Sequence, residues 1–282
     1  MSSPPNPLPD HFEQIPEAPT PLDEAFGTPV EVLIPPPKRF PAWRAWDVLA
    51  VLVFTLIAIF VFTMAALFIA HGFPAYRHQS FTDLATNAKV VIGAQAAAYP
   101  IVLLFIFFMV RSRTGQPFGE AIHWHWPGSF APAFIVGGIV LAIAVEGIAR
   151  FLPIPKSLPM DTYFHDAASA YMMAAFGITL APIMEEIFFR GLLYPLLERK
   201  MGVTAGVLLT GAAFAAIHGA QLGYAWAPVF SIFIVGVVLT MVRVRTNSVA
   251  SSFLVHCGYN LALFSALWIA SDHFRHLEKV SG

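Results

Sequence analysis

The chain has 282 residues, of which 57% are hydrophobic and only 12% charged, and its mean hydropathy is +0.68. A soluble domain has about a quarter of its residues charged, so the composition excludes one and indicates a multispanning membrane protein. The formal net charge of -1 points to no nucleic-acid partner, and the single cysteine, Cys257, excludes an intramolecular disulfide.

Residues 1–42 are crowded with proline, including the run Pro35-Pro36-Pro37, and interspersed with Asp10, Glu13, Glu17, Asp23 and Glu24. Without an apolar core this stretch is no signal peptide, and its composition predicts a disordered tail. From there, apolar segments long enough to span a bilayer core of about 20 residues recur seven times. They are Trp46–Ala70, about Val90–Val110, about Phe130–Leu152, about Ala168–Leu197, Val203–His218, Ala227–Val242 and Ser248–Ala270. The fourth is long enough to tilt, or to bend near Pro182. The expected fold is therefore an all-α polytopic transmembrane helix bundle of about seven spans, within a range of six to eight. Residues 43–165 form its N-terminal helices, and 111–128 is an interfacial segment marked by His123-Trp124-His125-Trp126.

Basic residues set the orientation, because short cytoplasmic loops carry the Lys and Arg excess. Lys38, Arg39 and Arg44 precede the first span, Arg111 and Arg113 follow the second, Arg199 and Lys200 follow the fourth, and Arg243 and Arg245 follow the sixth. All four clusters fall on one side, which predicts a cytoplasmic N-terminus and an integral protein of the bacterial inner membrane. Arg150, Lys156, Arg275 and Lys279 are the exceptions.

Three of these segments carry ionisable groups, which are expensive at membrane depth and mark function. Glu185, Glu186 and Arg190 sit in the fourth, His218 ends the fifth, and His256 and Asn260 lie in the last. At 1.5 Å of rise per residue, Glu185 is about 21 Å from Arg199, His218 about 23 Å from Val203 and His256 about 15 Å from Thr246. The three helices thus bring these groups to similar depth, where they can share one cavity.

Glu186 and Arg190 stand four apart with the acid first, the favourable order for a helical ion pair. Glu185 is rotated by about 100° and has no partner in its own helix, which suits a general base. His256 and Asn260, also four apart, present an imidazole and an amide suited to an oxyanion. His218 can orient water with Glu185 or bind a metal. Glu185, His218 and His256 resemble a zinc ligand set in residue type, though not in the His-Glu-x-x-His spacing. Zinc coordination and metal-free water activation both remain open.

The elements Ala181-Pro182-x-x-Glu185-Glu186-x-x-Phe189-Arg190-Gly191, Phe214-x-x-x-His218 and His256-x-x-x-Asn260 resemble the three motifs of the CPBP family. This is the family of CAAX prenyl proteases and bacteriocin-processing (Abi) proteins. The resemblance covers the C-terminal part of the chain and implies a catalytic core over 166–272. It implies an intramembrane endopeptidase, described in the family as a metalloprotease, acting on membrane-associated protein or peptide substrates that include prenylated CAAX sequences. Carried onto this chain, Glu185 is the water-activating base, His218 its partner, and His256 with Asn260 the oxyanion or ligand pair. Glu186 and Arg190 support them. The competing expectation is a non-proteolytic immunity or scaffold protein, or a proton-coupled transporter, since intramembrane carboxylates also serve proton relays. No inverted repeat of broken helices favours transport.

Overall fold

The structure of the protein, a computed structural model, describes residues 43–164 and 166–277. The tail expected over 1–42, with Lys38 and Arg39 in it, lies outside the described residues, as do His165 and Lys279. The described part is helical, and six helical runs are long and apolar enough to cross a membrane: α1 (Ala45–Gly72), α2 (Ala88–Thr114), α3 (Gly128–Ala149), α4 (Ala167–His218), α5 (Trp226–Thr246) and α6 (Val249–Ala270). The expected all-α polytopic bundle is observed.

Run α4 has 52 residues and joins what the hydropathy separates into two spans. It is a hairpin. A straight helix would hold Phe189 and Phe214 about 37 Å apart at 1.5 Å per residue, yet their ring centroids are 5.3 Å apart. The reversal falls at Gly202, whose φ of 82° and ψ of 170° leave the helical region at a value glycine tolerates without steric cost. The two arms of α4 account for the seventh span.

Helix α1 lies against α2, with Phe54 stacked on Phe105 at 4.4 Å. Its start is tied down by Asp47, which accepts the Arg44 backbone N–H at 2.7 Å and pairs with Arg113 of α2 at 2.6 Å. The second arm of α4 meets α5 through Gly211 and Gly236, and α3 meets α6 through Gly138 and Gly258. A methyl group added at Gly138 would overlap the Val255 carbonyl, and one at Gly258 the Ile135 carbonyl. Small residues at such crossings let helix backbones approach where lipid offers no hydrophobic drive for association. Outward-facing Phe60, Phe68, Val140 and Ile143 are exposed in the chain alone, as a lipid-facing surface requires.

The described residues of the four basic clusters gather at one end of the bundle. Arg113 reaches Asp47 beside Arg44, Arg199 donates to the Trp43 carbonyl at 3.2 Å, and Arg243 lines a recess with Trp43 and Glu198. The segment after α2 turns back at this end through a short helix, Phe118–Ala121. Arg111 and Arg113, counted into the interfacial segment, belong to the last turn of α2, which closes at Gly115 with φ of 66°. The remainder docks on the start of α6: Val249 N–H donates to the His123 carbonyl at 2.9 Å, and the Ser248 hydroxyl donates to the His125 carbonyl. Trp124 is tucked against Phe253, while Trp126 is exposed.

Candidate active site

Proline supplies the local reason for an irregular α4. Pro182 has no N–H to donate, and its ring crowds the carbonyl four residues back. The chain accommodates it with a π-helical turn over Phe176–Leu180, a short α-helical piece over Ala181–Glu186, and a second π segment over Ile187–Leu193. Such insertions are rare and frequent at functional sites. The piece they bracket carries both glutamates.

Glu186 and Arg190 are completely buried and form the ion pair expected of them, with Arg190 Nη1 2.8 Å from Glu186 Oε1. Arg190 has further acceptors on α5: Nη2 donates to the Gly236 carbonyl at 2.9 Å and Nε to Thr240 Oγ1 at 3.3 Å. Its guanidinium also lies 4.7 Å from the centroid of Phe214, a favourable cation–π placement. Glu186 is held from the other side by α6. The Ser252 hydroxyl donates to its Oε2 at 2.6 Å, and His256 Nδ1 stands 2.9 Å from its Oε1. The buried Glu186–Arg190 pair thereby ties α4, α5 and α6 together.

With Nδ1 committed to Glu186, the opposite ring nitrogen of His256 points toward Glu185, Nε2 lying 3.7 Å from Oε2. Glu185 keeps partial access to solvent, unlike its neighbour. His218 closes from the second arm of α4, where its Nδ1 lies 2.8 Å from the Phe214 carbonyl. Donation from that nitrogen leaves Nε2 as the free acceptor. Asn260 uses its amide nitrogen on the Gly177 carbonyl at 2.6 Å. That contact joins α6 to the first π turn, where a side chain at Gly177 would strike Phe264.

Glu185, His218, His256 and Asn260 all line one cavity of about 600 Å³. The structure thus brings the four catalytic candidates to a common space and places Glu186 and Arg190 behind it. The cavity wall is otherwise mainly apolar, including Leu52 and Leu56 of α1, Phe188, Ile217 and Phe264. It continues to Met160, Asp161, Gln221 and Leu277, which belong to the connections at the end of the bundle opposite the basic clusters. Ser252 and Tyr99 were not among the sequence candidates. Ser252 had a signal: it stands four residues before His256, so Ser252, His256 and Asn260 form one stripe on α6. Tyr99, from α2, had none.

Among the described residues, no three His, Cys, Asp or Glu side chains stand close enough to form a metal-binding group. As placed, Glu185, His218 and His256 do not fit the zinc set that their residue types suggest.

These features define a class: an integral, multi-pass, all-α membrane protein with a carboxylate–imidazole cluster at the base of a large intramembrane cavity. The family model of the Type II CAAX prenyl endopeptidase Rce1-like proteins matches residues 167–262, the segment that contains every motif residue. The resemblance read from the three motifs is thereby shown over α4, α5 and most of α6. The UPF0177 protein YbdI of Lactococcus lactis subsp. lactis (strain IL1403) is 26% identical over 179 residues, covering 58% of this chain and 91% of that protein. No solved structure matches the chain.

Proposed function

We propose that the protein is an intramembrane endopeptidase that hydrolyses peptide bonds of membrane-associated substrates with water activated by Glu185. The observation that carries this reading is the ordered contact from Glu186 to His256 to Glu185 beside a cavity of about 600 Å³. The family match to type II CAAX prenyl endopeptidases supports it at the level of the class. Residues 166–272 are the catalytic core in this reading, and 43–165 form the wall that α1 and α2 contribute.

The chemistry follows from the placement of the groups. A water molecule on Glu185 is within reach of His256 Nε2, which fixes its direction. Glu185 takes the proton as the water attacks the carbonyl carbon, and returns it to the departing amine nitrogen as the C–N bond breaks. His218 and His256, each with Nδ1 engaged, keep Nε2 as an acceptor that orients the attacking water, and a general base placed as Glu185 is contributes about 10²–10⁴ in rate. Glu186 touches no substrate. It positions His256, and Arg190 balances its charge.

The cavity's direction narrows the substrate. It extends to the connections opposite the basic clusters, which by the positive-inside rule is the non-cytoplasmic side. A peptide tethered to the membrane by an apolar or lipid-modified segment fits the apolar wall and reaches Glu185 from that face. The test is a mass-spectrometric comparison of membranes from cells with the wild type and with Glu185→Gln. New peptide ends confined to the wild type support proteolysis and identify the substrate. Identical profiles with both proteins stably inserted overturn it and favour the immunity or scaffold role.

A further inference from the structure

A second recess, of about 270 Å³, lies at the end of the bundle where the basic clusters gather. His123, Tyr194, Glu198, Arg243 and Asn247 line it, with Trp43 on one side. None of these groups belongs to the hydrolytic site.

Its hydrogen bonding is incomplete. Five buried side-chain atoms among the described residues have no hydrogen-bond partner, and three of them, His123 Nδ1, Tyr194 Oη and Arg243 Nε, belong to this recess. Arg243 is 5% exposed and Tyr194 1%. The only hydrogen bond of the Arg243 guanidinium among the described residues runs from Nη1 to Asn247 Oδ1 at 2.8 Å. Burying polar groups without partners is costly, and a buried cation most of all. Glu198 is near enough to act on the charge of Arg243, yet no ion pair within 4.0 Å closes between them. The recess thus presents one cation and one anion that no ion pair joins, with His123 as a neutral group beside Arg243 and the Tyr194 hydroxyl beside Glu198. Burial, together with Arg243 beside it, holds the His123 imidazole below its usual range, so this side chain enters uncharged.

We propose that this recess binds a zwitterion consisting of a phosphate and an ammonium group, the chemistry of a phosphoethanolamine headgroup. The phosphate takes Arg243 Nε with His123, because a guanidinium fork matches phosphate oxygens. The ammonium takes Glu198. Balanced charge in the recess disfavours a ligand with a net negative charge. Location supports a lipid source, since the basic helix ends mark the membrane–water boundary, and exposed Asn247 leaves the recess open to that boundary.

The test uses the purified full chain in detergent micelles, with thermal unfolding read against added dioleoyl phosphatidylethanolamine, dioleoyl phosphatidylglycerol and soluble O-phosphoethanolamine. A ligand bound only by the folded state raises the midpoint with concentration. Phosphatidylethanolamine is expected to act at concentrations at least tenfold below phosphatidylglycerol. Arg243→Gln should abolish its effect, and Glu198→Gln should erase the preference between the two lipids. If soluble O-phosphoethanolamine alone reproduces the shift, the site takes a free metabolite of the same chemistry. Equal responses to both lipids in the wild type, or an unchanged preference in Glu198→Gln, overturn the proposal. The second variant decides the matter even where Arg243→Gln fails to fold.

Discussion

His256 Nδ1 lies 2.9 Å from Glu186 Oε1, and that oxygen also pairs with Arg190 Nη1 at 2.8 Å. The two adjacent glutamates therefore divide their work. Glu186 is sealed between α4 and α6, while Glu185 faces the cavity with His256 Nε2 at 3.7 Å. Removing one partner of a buried pair leaves the other charge uncompensated, at a cost of about 3–5 kcal/mol. Glu186→Gln should lower the unfolding free energy by about that amount, whereas Glu185→Gln should leave it nearly unchanged and remove cleavage. Chemical unfolding in micelles, run beside the cleavage assay, checks the division. Equal destabilisation by both changes would contradict it.

The crossing of α3 and α6 sets where His256 stands. Gly138 and Gly258 meet backbone carbonyls of the facing helix, so neither site has room for a methyl group. Gly258→Ala must push the helices apart beside His256 and Tyr259. The expected outcome is a fall in both midpoint and turnover. Gly137→Ala, one residue away with open space around it, should be nearly neutral and serves as the control. The pair of thermal melts decides whether the close approach matters.

The sequence showed the membrane class, the spans and the side chains that meet, because charge inside apolar helices stands out against composition. Depth arithmetic placed Glu185, His218 and His256 together, and the Glu185–His256 contact agrees with it. The hairpin in α4 was legible as two spans, although helical geometry runs on through the first arm up to Gly202. Three things were not legible. The π turns depend on how the chain relieves Pro182, which periodicity does not record. The Glu186–His256 bond needs the rotation of α6 against α4, which is fixed by glycine contacts with α3. The apolar wall contributed by α1 and α2 depends on tertiary placement, since their residues read as ordinary lipid-facing positions. The likeness of the chain to known endopeptidases supplied roles that spacing alone left open.

Asp166 caps the first arm of α4. Its carboxylate accepts the Ser169 N–H at 2.9 Å and pairs with Lys89 of α2 at 3.2 Å. The Ser169 backbone bond first, and then Lys89, hold its carboxyl below the usual range. A depressed carboxylate stabilises the fold above its unfolded value, near 3.9, and loses that contribution as pH falls through the lower folded value. Asp166→Ala should cost about 1 kcal/mol near neutral pH, the usual value of an N-cap. Asp166→Asn should keep most of the cap and lose only the exposed pair. Melts of the wild type and Asp166→Asn should converge as pH is lowered below about 4, while Asp166→Ala stays below Asp166→Asn at every pH.

The last prediction concerns the face from which the cavity is reached. Gln221 is exposed and lines the cavity, while Lys200 is exposed at the end of the bundle that holds the basic clusters. Cysteine placed at either position, with Cys257 changed to Ala, reports its side through a membrane-impermeant maleimide on intact cells. Gln221→Cys should label from outside, and Lys200→Cys only after the membrane is permeabilised. That result would mean that substrates enter from the non-cytoplasmic leaflet, so the relevant peptides are those whose cleavage sites are exported or face outward. The reverse pattern would invert the orientation drawn from Arg44, Arg113, Arg199 and Arg243, and would direct the search to chains tethered on the cytoplasmic face. In either case the distance from Glu185 to the labelled rim is fixed by the bundle, so a bulky maleimide at residue 221 should slow cleavage more than one at residue 200.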